Sequence, residues 1–239
     1  MFADGDRLWL DGNRASSGTT FLIGIGMYKT CFLINAGEDP FRLKGRDAED
    51  AIRAVFPKIK GYVQARALPS AAEPEFSGSA ELWFDDSSAA LGACVTGIGS
   101  MLAQGAGVQS CLCGMERVVV RTAEYISADR VKGVYPFRKK PGMTLEEFQH
   151  HWWHTHGPIA ALTQEALSYV QLHKSSVSNK TLNCVYDGIT EISWLDMDAA
   201  GRAIESRQMR EDQGSDAANF VDLASVSLFM AKEEVVIEP

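Results

Sequence analysis

Glu81-Leu82-Trp83-Phe84-Asp85-Asp86-Ser87-Ser88-Ala89-Ala90 returns in altered form as Glu191-Ile192-Ser193-Trp194-Leu195-Asp196-Met197-Asp198-Ala199-Ala200. Upstream of each stretch lies a second match, Gly61-Tyr62-Val63-Gln64 against Ser168-Tyr169-Val170-Gln171, at nearly the same offset. One such match is readily accidental. Two colinear matches point to one unit present twice.

Working outward, each unit reads as strand, helix, strand, strand, helix, strand. In the second, Val131 to Phe137 is β-rich and ends at the turn Lys139-Lys140-Pro141-Gly142. Thr144 with Glu147 three residues later forms a capping box for a helix to about His156. Gly157-Pro158 should break that helix and open another over Ile159 to Leu167. Tyr169 to Lys174 and Thr190 to Leu195 are strands, and Asp196 or Asp198 caps a helix to about Arg210. Glu211 to Ala218 reads as polar connection, and Ala224 to Ala231 as the last strand. The first unit parallels this with Tyr28 to Asn35, Ala48 to Lys60, Tyr62 to Ala67, Ala80 to Phe84, Ser87 to about Met101, and Met115 to Arg121.

Two consecutive βαββαβ units predict an α+β protein: two tandem ferredoxin-like units packed sheet on sheet as an intramolecular pseudo-dimeric α/β barrel. The expected boundaries are 1–26 for an N-terminal extension or a hairpin at Asp11-Gly12-Asn13, 27–122 for the first unit, 123–130 for a linker and 131–239 for the second.

The 239 residues are 46% hydrophobic and 23% charged, an ordinary globular balance. A net charge of −8 argues against nucleic acid or an anionic membrane as partner. No apolar run reaches membrane-spanning length. Asp4, Asp6 and Arg7 stand where a signal peptide would carry a basic and then an apolar segment, so a cytoplasmic location is expected. Cys31, Cys94, Cys111, Cys113 and Cys184 are odd in number and lack zinc-ligand spacing, so reduced, mostly buried thiols are expected.

All five histidines fall between His150 and His173. At about 100° per residue, Phe148, Trp152 and His156 share one helix face, flanked by His151 and Thr155. His150 and His154 point the other way. They have the spacing of a metal pair, but no third ligand follows, and a solvated helix face is the favoured reading. His156 continues the apolar stripe. The residues alone leave it as either a core histidine satisfied by a carbonyl or a proton-transfer group with a shifted pKa.

Alternation along the strand puts Tyr169, Gln171 and His173 on one face, with Val170 and Leu172 on the other. The apolar face is expected against the helices and the polar face between the sheets. By the repeat, Tyr62, Gln64 and Arg66 would face the same space, Arg66 at the place of His173. Such a cleft, with Tyr135 able to line it or to pack in the core, would take a polar, oxygen-rich aromatic ligand. The other reading is that these side chains are exposed or structurally hydrogen-bonded. Glu191, matching Glu81, suggests a structural role shared by both units, and Asp187 a turn with Gly188.

Phe148, Trp152, His156, Gly157 and Pro158, with the preceding strand and the turn from Lys139 to Thr144, resemble the EthD family of dimeric α/β-barrel proteins. Tyr186-Asp187-Gly188-Ile189-Thr190-Glu191 followed by Trp194 fits as well. The resemblance covers Val131 to about Met230, and the first unit shares only its later strands. The family holds ring-forming and dehydrating enzymes of aromatic polyketide assembly and proteins of xenobiotic-degradation clusters. Related barrels include isomerases, monooxygenases and haem-binding enzymes. The resemblance implies an acid/base role for His156 alone among the clustered histidines.

The leading expectation is a cofactor-independent lyase, cyclase or dehydratase acting on a small aromatic or polyketide-like carbonyl compound. His156, His173 and Tyr169 are its candidate catalytic residues. Arg66, Tyr62, Gln64, Gln171, Trp152 and Tyr135 are the candidate binding residues. The alternatives are a haem or metal protein with His156 or His173 as axial ligand, and a non-catalytic small-molecule carrier. No metal, nucleic-acid or membrane partner is expected, and homodimerisation is left open.

Overall fold

A computed structural model describes residues 27–35, 37, 39–70, 73–103, 107–121, 129–177 and 184–239. The expected N-terminal hairpin or extension and most of the expected linker lie outside the described residues.

The first half runs β1 (Tyr28–Ile34), α1 (Gly45–Val55), β2 (Gly61–Ala67), β3 (Gly78–Phe84), α2 (Ser87–Val95), α3 (Ile98–Leu102) and β4 (Val108–Arg121). The second runs β5 (Val131–Lys139), α4 (Leu145–His151), α5 (Gly157–Ala160), β6 (Ser168–Lys174), β7 (Gly188–Trp194), α6 (Met197–Glu205), α7 (Gly214–Phe220), the two-residue β8 (Val221–Asp222) and β9 (Phe229–Ile237). Within each half the strand order is the same, β4-β1-β3-β2 and β9-β5-β7-β6. Between halves, β4 pairs with β6 and β2 with β9, so eight strands close into one antiparallel barrel. This is the predicted pseudo-dimeric α/β barrel.

Strands walled by helices outside and by the opposite half inside are buried on both faces, and every residue of β3 and β7 is buried. Leu33, Ala65, Leu112, Val134, Leu172, Ile189 and Phe229 fill the interior from both halves. Helix-side cores lie outside, with Phe32, Ile52, Tyr62 and Leu82 in the first half and Tyr169, Ile192 and Trp194 in the second.

The interior also holds a buried ion cluster. Lys29 Nζ lies 2.7 Å from Glu81, 2.5 Å from Glu191 and 3.6 Å from Glu116. Lys132 Nζ lies 2.6 Å from Glu81, 3.4 Å from Glu191 and 2.7 Å from Glu233. Lys29 and Lys132 hold equivalent strand positions, as do Glu116 and Glu233. The structural role expected of Glu81 and Glu191 is this one, and the lysines and outer glutamates complete it. Buried charges of one sign are costly alone, and the two lysines offset that cost for the carboxylates they share, although burial and Glu81 still push the Glu191 pKa up. Burial opposes ionisation of Lys29, but Glu191, Glu81 and Glu116 outweigh it and raise its pKa.

Several expectations are corrected. The polar segment Glu211 to Ala218 is helical: a π-helical turn at Gln208–Gln213 leads directly into α7. Gly157-Pro158 does not break the preceding helix. The chain widens into a π-helical turn, Trp152–His156, and continues as α5. Proline lacks an N–H and its ring crowds the carbonyl four residues back, so a locally wider helix accommodates it. The last strand starts at Phe229, after a 3-10 turn at Leu223–Ser225. Cys94 and Cys111, expected as thiols, are joined by a disulfide between α2 and β4, with Cα atoms 6.3 Å apart. Asp187 does anchor its turn, accepting from the Lys139 N–H and from Lys174 Nζ, each at 3.1 Å. Among the described residues no helix is long and apolar enough to cross a membrane.

Candidate active site

Thr144 caps α4 through the predicted capping box with Glu147. The helix then lays Phe148 and Trp152, both fully buried, against Phe137 of β5 and Phe220 of α7. The π-helical turn places His156 on this face at 5% exposure, and a widened turn at such a point is a common functional device.

His156 Nδ1 donates to Asp216 Oδ2 at 2.9 Å, and His151 Nε2 donates to Asp216 Oδ1 at 3.0 Å. The ionised carboxylate has only acceptors, so both facing ring nitrogens carry the protons. Burial works to raise Asp216, but the hydrogen bonds from His151 and His156 hold it below the usual carboxylate range. For His156, burial lowers the pKa below the ordinary imidazole value, and Asp216 offsets this only in part. The imidazole is therefore neutral near pH 7, with its lone pair on Nε2.

That nitrogen faces a cavity of about 260 Å³. Tyr135, Phe137, Trp152, Tyr169, Ile192 and Phe220 are among its walls, and none of its lining residues carries a fixed charge. The Tyr169 hydroxyl lies 3.5 Å from His156 Nε2. Burial raises the pKa of Tyr169 and of Tyr135, so both phenols stay protonated. On its far side, Asp216 borders an open surface groove along Pro158, Ile159, Leu162 and Ser215.

The structure thus brings His156, Tyr169, Trp152 and Tyr135 together and separates the rest. The expected cleft between the sheets is corrected: Tyr169, Gln171 and His173 face the helices, and Leu172 faces the barrel interior. Polar side chains are buried here because the helix layer offers partners. Gln171 Nε2 donates to the Trp152 carbonyl at 3.2 Å, and its Oε1 accepts from His173 Nε2 at 2.8 Å. His173 stacks on Trp152 with ring centroids 4.4 Å apart and does not line the cavity. Tyr62, Gln64 and Arg66 lie on the other half's helix side. Gln64 donates to the Leu43 carbonyl and to the Tyr62 hydroxyl, and Arg66 pairs with Glu234 at 2.8 Å. Arg66 does hold the position equivalent to His173, but the two side chains serve different helix layers.

Asp216 escaped the sequence reading. Its segment looked like a polar connection, and the available signal was the spacing of Gln213, Ala217 and Phe220 along one helix face. His150 and His154 are exposed, with their rings tilted together at 4.6 Å between centroids, as a solvated helix face allows. Among the described residues no three His, Cys, Asp or Glu side chains group as a metal site. Neither haem position fits: the cavity before His156 is too small for a tetrapyrrole, and His173 is closed in by Trp152 and Gln171.

Comparison with known proteins agrees with this half of the chain. Residues 140–224 match the EthD domain family. An EthD family protein of Bacillus halodurans C-125 aligns over 44% of this chain and 99% of its own, at 17% identity and a TM-score of 0.36. A protein of Fusobacterium nucleatum, provisionally assigned as a monooxygenase, aligns over 88% of this chain and 93% of its own, at 9% identity and a TM-score of 0.51. A similarly assigned protein of Lactobacillus acidophilus covers 90% of this chain and 97% of its own, at 11% identity and a TM-score of 0.47. At 9% identity the likeness to the Fusobacterium nucleatum protein is one of fold. No curated protein sequence matches the chain. The stretch that matches the EthD family spans α4, the His156 turn, β6, β7 and the Asp216 helix, and so contains the dyad and much of its cavity.

Proposed function

We propose that the EthD domain is an acid–base enzyme for a small carbonyl compound, of the lyase, cyclase or dehydratase type. One observation carries the reading: His156 is held at Nδ1 by Asp216 while Nε2 opens onto an uncharged cavity. A carboxylate behind an imidazole fixes its tautomer and stabilises the imidazolium formed when it takes a proton. In the proposed step, Nε2 removes a proton from the carbon beside the carbonyl. The C–H electron pair becomes a C=C bond and the carbonyl oxygen an enolate. The imidazolium then returns the proton to carbon or to a departing oxygen, so no oxidant is needed. Tyr169, beside Nε2, steers the proton. His173 and Arg66 have no step here.

In this reading the first unit is a diverged copy of the second that keeps the barrel wall and has lost the site. The partner is a small molecule. Homodimerisation would need a surface other than the sheet edges, which the barrel closes on itself. We also read the chain as acting on aromatic or xenobiotic carbonyls.

The test is α-deuterium exchange into a panel of one- and two-ring ketones, followed by NMR. Wild-type protein should catalyse exchange into at least one. His156→Ala should lose 10²–10⁴-fold, the usual reach of general acid–base catalysis. Unchanged exchange in that variant sinks the assignment. Tight binding with no exchange or turnover favours a carrier instead.

A further inference from the structure

The Tyr135 hydroxyl is buried and has no hydrogen-bond partner. A buried phenol left unpaired is costly, so such a group signals a missing partner. Its ring lies back along β5 over Gly133, where a Cβ would sit 2.7 Å from the Tyr135 ring and 3.1 Å from its oxygen. Only glycine leaves the strand surface open for the ring in this position. Tyr135 lines the His156 cavity together with Tyr169, Thr190 and Gln213, whose amide nitrogen already donates to Thr163 and Gln208; the rest of the wall is largely apolar, with Phe137, Trp152, Ile192 and Phe220.

We infer that Tyr135 is the oxygen-binding residue of this site and that its ligand is a neutral ketone or aldehyde on one or two fused rings. The inference rests on the acid–base reading for its chemistry, but not for its binding claim. The oxygen requirement follows from the unpaired O–H, which can donate to a carbonyl lone pair. Neutrality follows from the lining. A carboxylate buried there would meet no fixed cation, only an imidazole that burial holds neutral, and would lose its hydration uncompensated. Size follows from volume, since about 150 Å³ accepts a benzene ring and this cavity measures about 260 Å³. In the exchange step the new electron pair arrives on that same oxygen, and Tyr135 O–H meets the charge where it develops.

Binding of three probes of one shape separates the terms: 1-tetralone, the hydrocarbon tetralin, and 1-naphthoate, each titrated by tryptophan fluorescence. The ketone should bind at least 10-fold more tightly than naphthoate. Tyr135→Phe should cost the ketone 10-fold or more and leave tetralin unchanged. Gly133→Ala, which displaces the ring, should reproduce that loss. Because Tyr135→Phe deletes an unpaired group, ligand-free protein should melt at the same temperature or higher. Equal binding of naphthoate and ketone overturns the inference, as does ketone binding indifferent to Tyr135→Phe. A lower melting temperature for ligand-free Tyr135→Phe shows the hydroxyl already partnered and overturns it too. His156→Ala distinguishes the two readings: ketone affinity retained with exchange lost supports both. Exchange retained in that variant fails the acid–base reading alone.

Discussion

The two halves present the same strand face to their helices and do opposite things with it. Tyr62, Gln64 and Arg66 in the first half match Tyr169, Gln171 and His173 in the second. In both, the glutamine ties the sheet to the backbone of the helix layer, Gln64 to Leu43 and Gln171 to Trp152. Beyond that tie they part. The first half fills the layer with Phe41, Leu43, Phe56 and Ile52 and caps it with the Arg66–Glu234 pair. The second half inserts a widened helical turn, brings Asp216 on a further helix, and leaves a cavity. The sheet is therefore a shared frame, and the site belongs to the helices placed upon it.

The comparison can be broken hardest at what the halves share. Lys132→Met leaves Glu233 and Glu81 short of a buried partner and should cost about 3–5 kcal/mol in urea denaturation. Lys29→Met should cost as much. A large difference between them would show that the cluster is not balanced across the halves. Next, Asp216→Asn should lower exchange activity by 10²-fold or more with the melting temperature little moved, because the wrong tautomer is then held. Arg66→Met, at the matching site of His173, should leave activity within twofold.

A pH series sharpens the contrast further, since only the second half carries histidines. Burial holds His173 well below the ordinary imidazole pKa, and His156 also below it. The unfolded chain then binds protons that the folded one does not. Stability is complete above the unfolded value of about 6.5 and is lost as pH falls through the lowered folded values. His173→Phe, which keeps a ring on Trp152, should flatten melting temperature against pH below about pH 6.5. An unchanged slope would place the acid sensitivity elsewhere. The smallest effects should be equal ones. Asp86 and Asp196 cap α2 and α6 at equivalent positions, each accepting an N–H at 2.8 Å, so either Asp→Ala change should cost about 1 kcal/mol.

The frame was legible because strand patterns and helix caps are local: the recurring Tyr-x-Gln and Glu-to-Ala segments fix register, and Asp196 announces its own helix. The side of the sheet on which the polar stripe falls was not legible. Tyr169, Gln171 and His173 alternate identically whether they face the barrel or the helices, and only the partners that satisfy them decide. His156 could be picked out by its stripe and its Gly-Pro sequel. Asp216 could not, because the dyad joins segments 60 residues apart and no periodicity encodes that pairing.

The widened turn at Trp152–His156 has one more consequence. A π-helical turn is an α-helical turn carrying one surplus residue. Deleting Thr155 would let the segment close to ordinary α-helical period, with the helix beyond it kept in phase and the side chains inside the turn, His156 among them, losing their placement. Phe148 would keep its seat in the core, while His156 would leave Asp216 and the cavity. Presence of the site is thus a matter of chain length, a single residue, as much as of which residues are there.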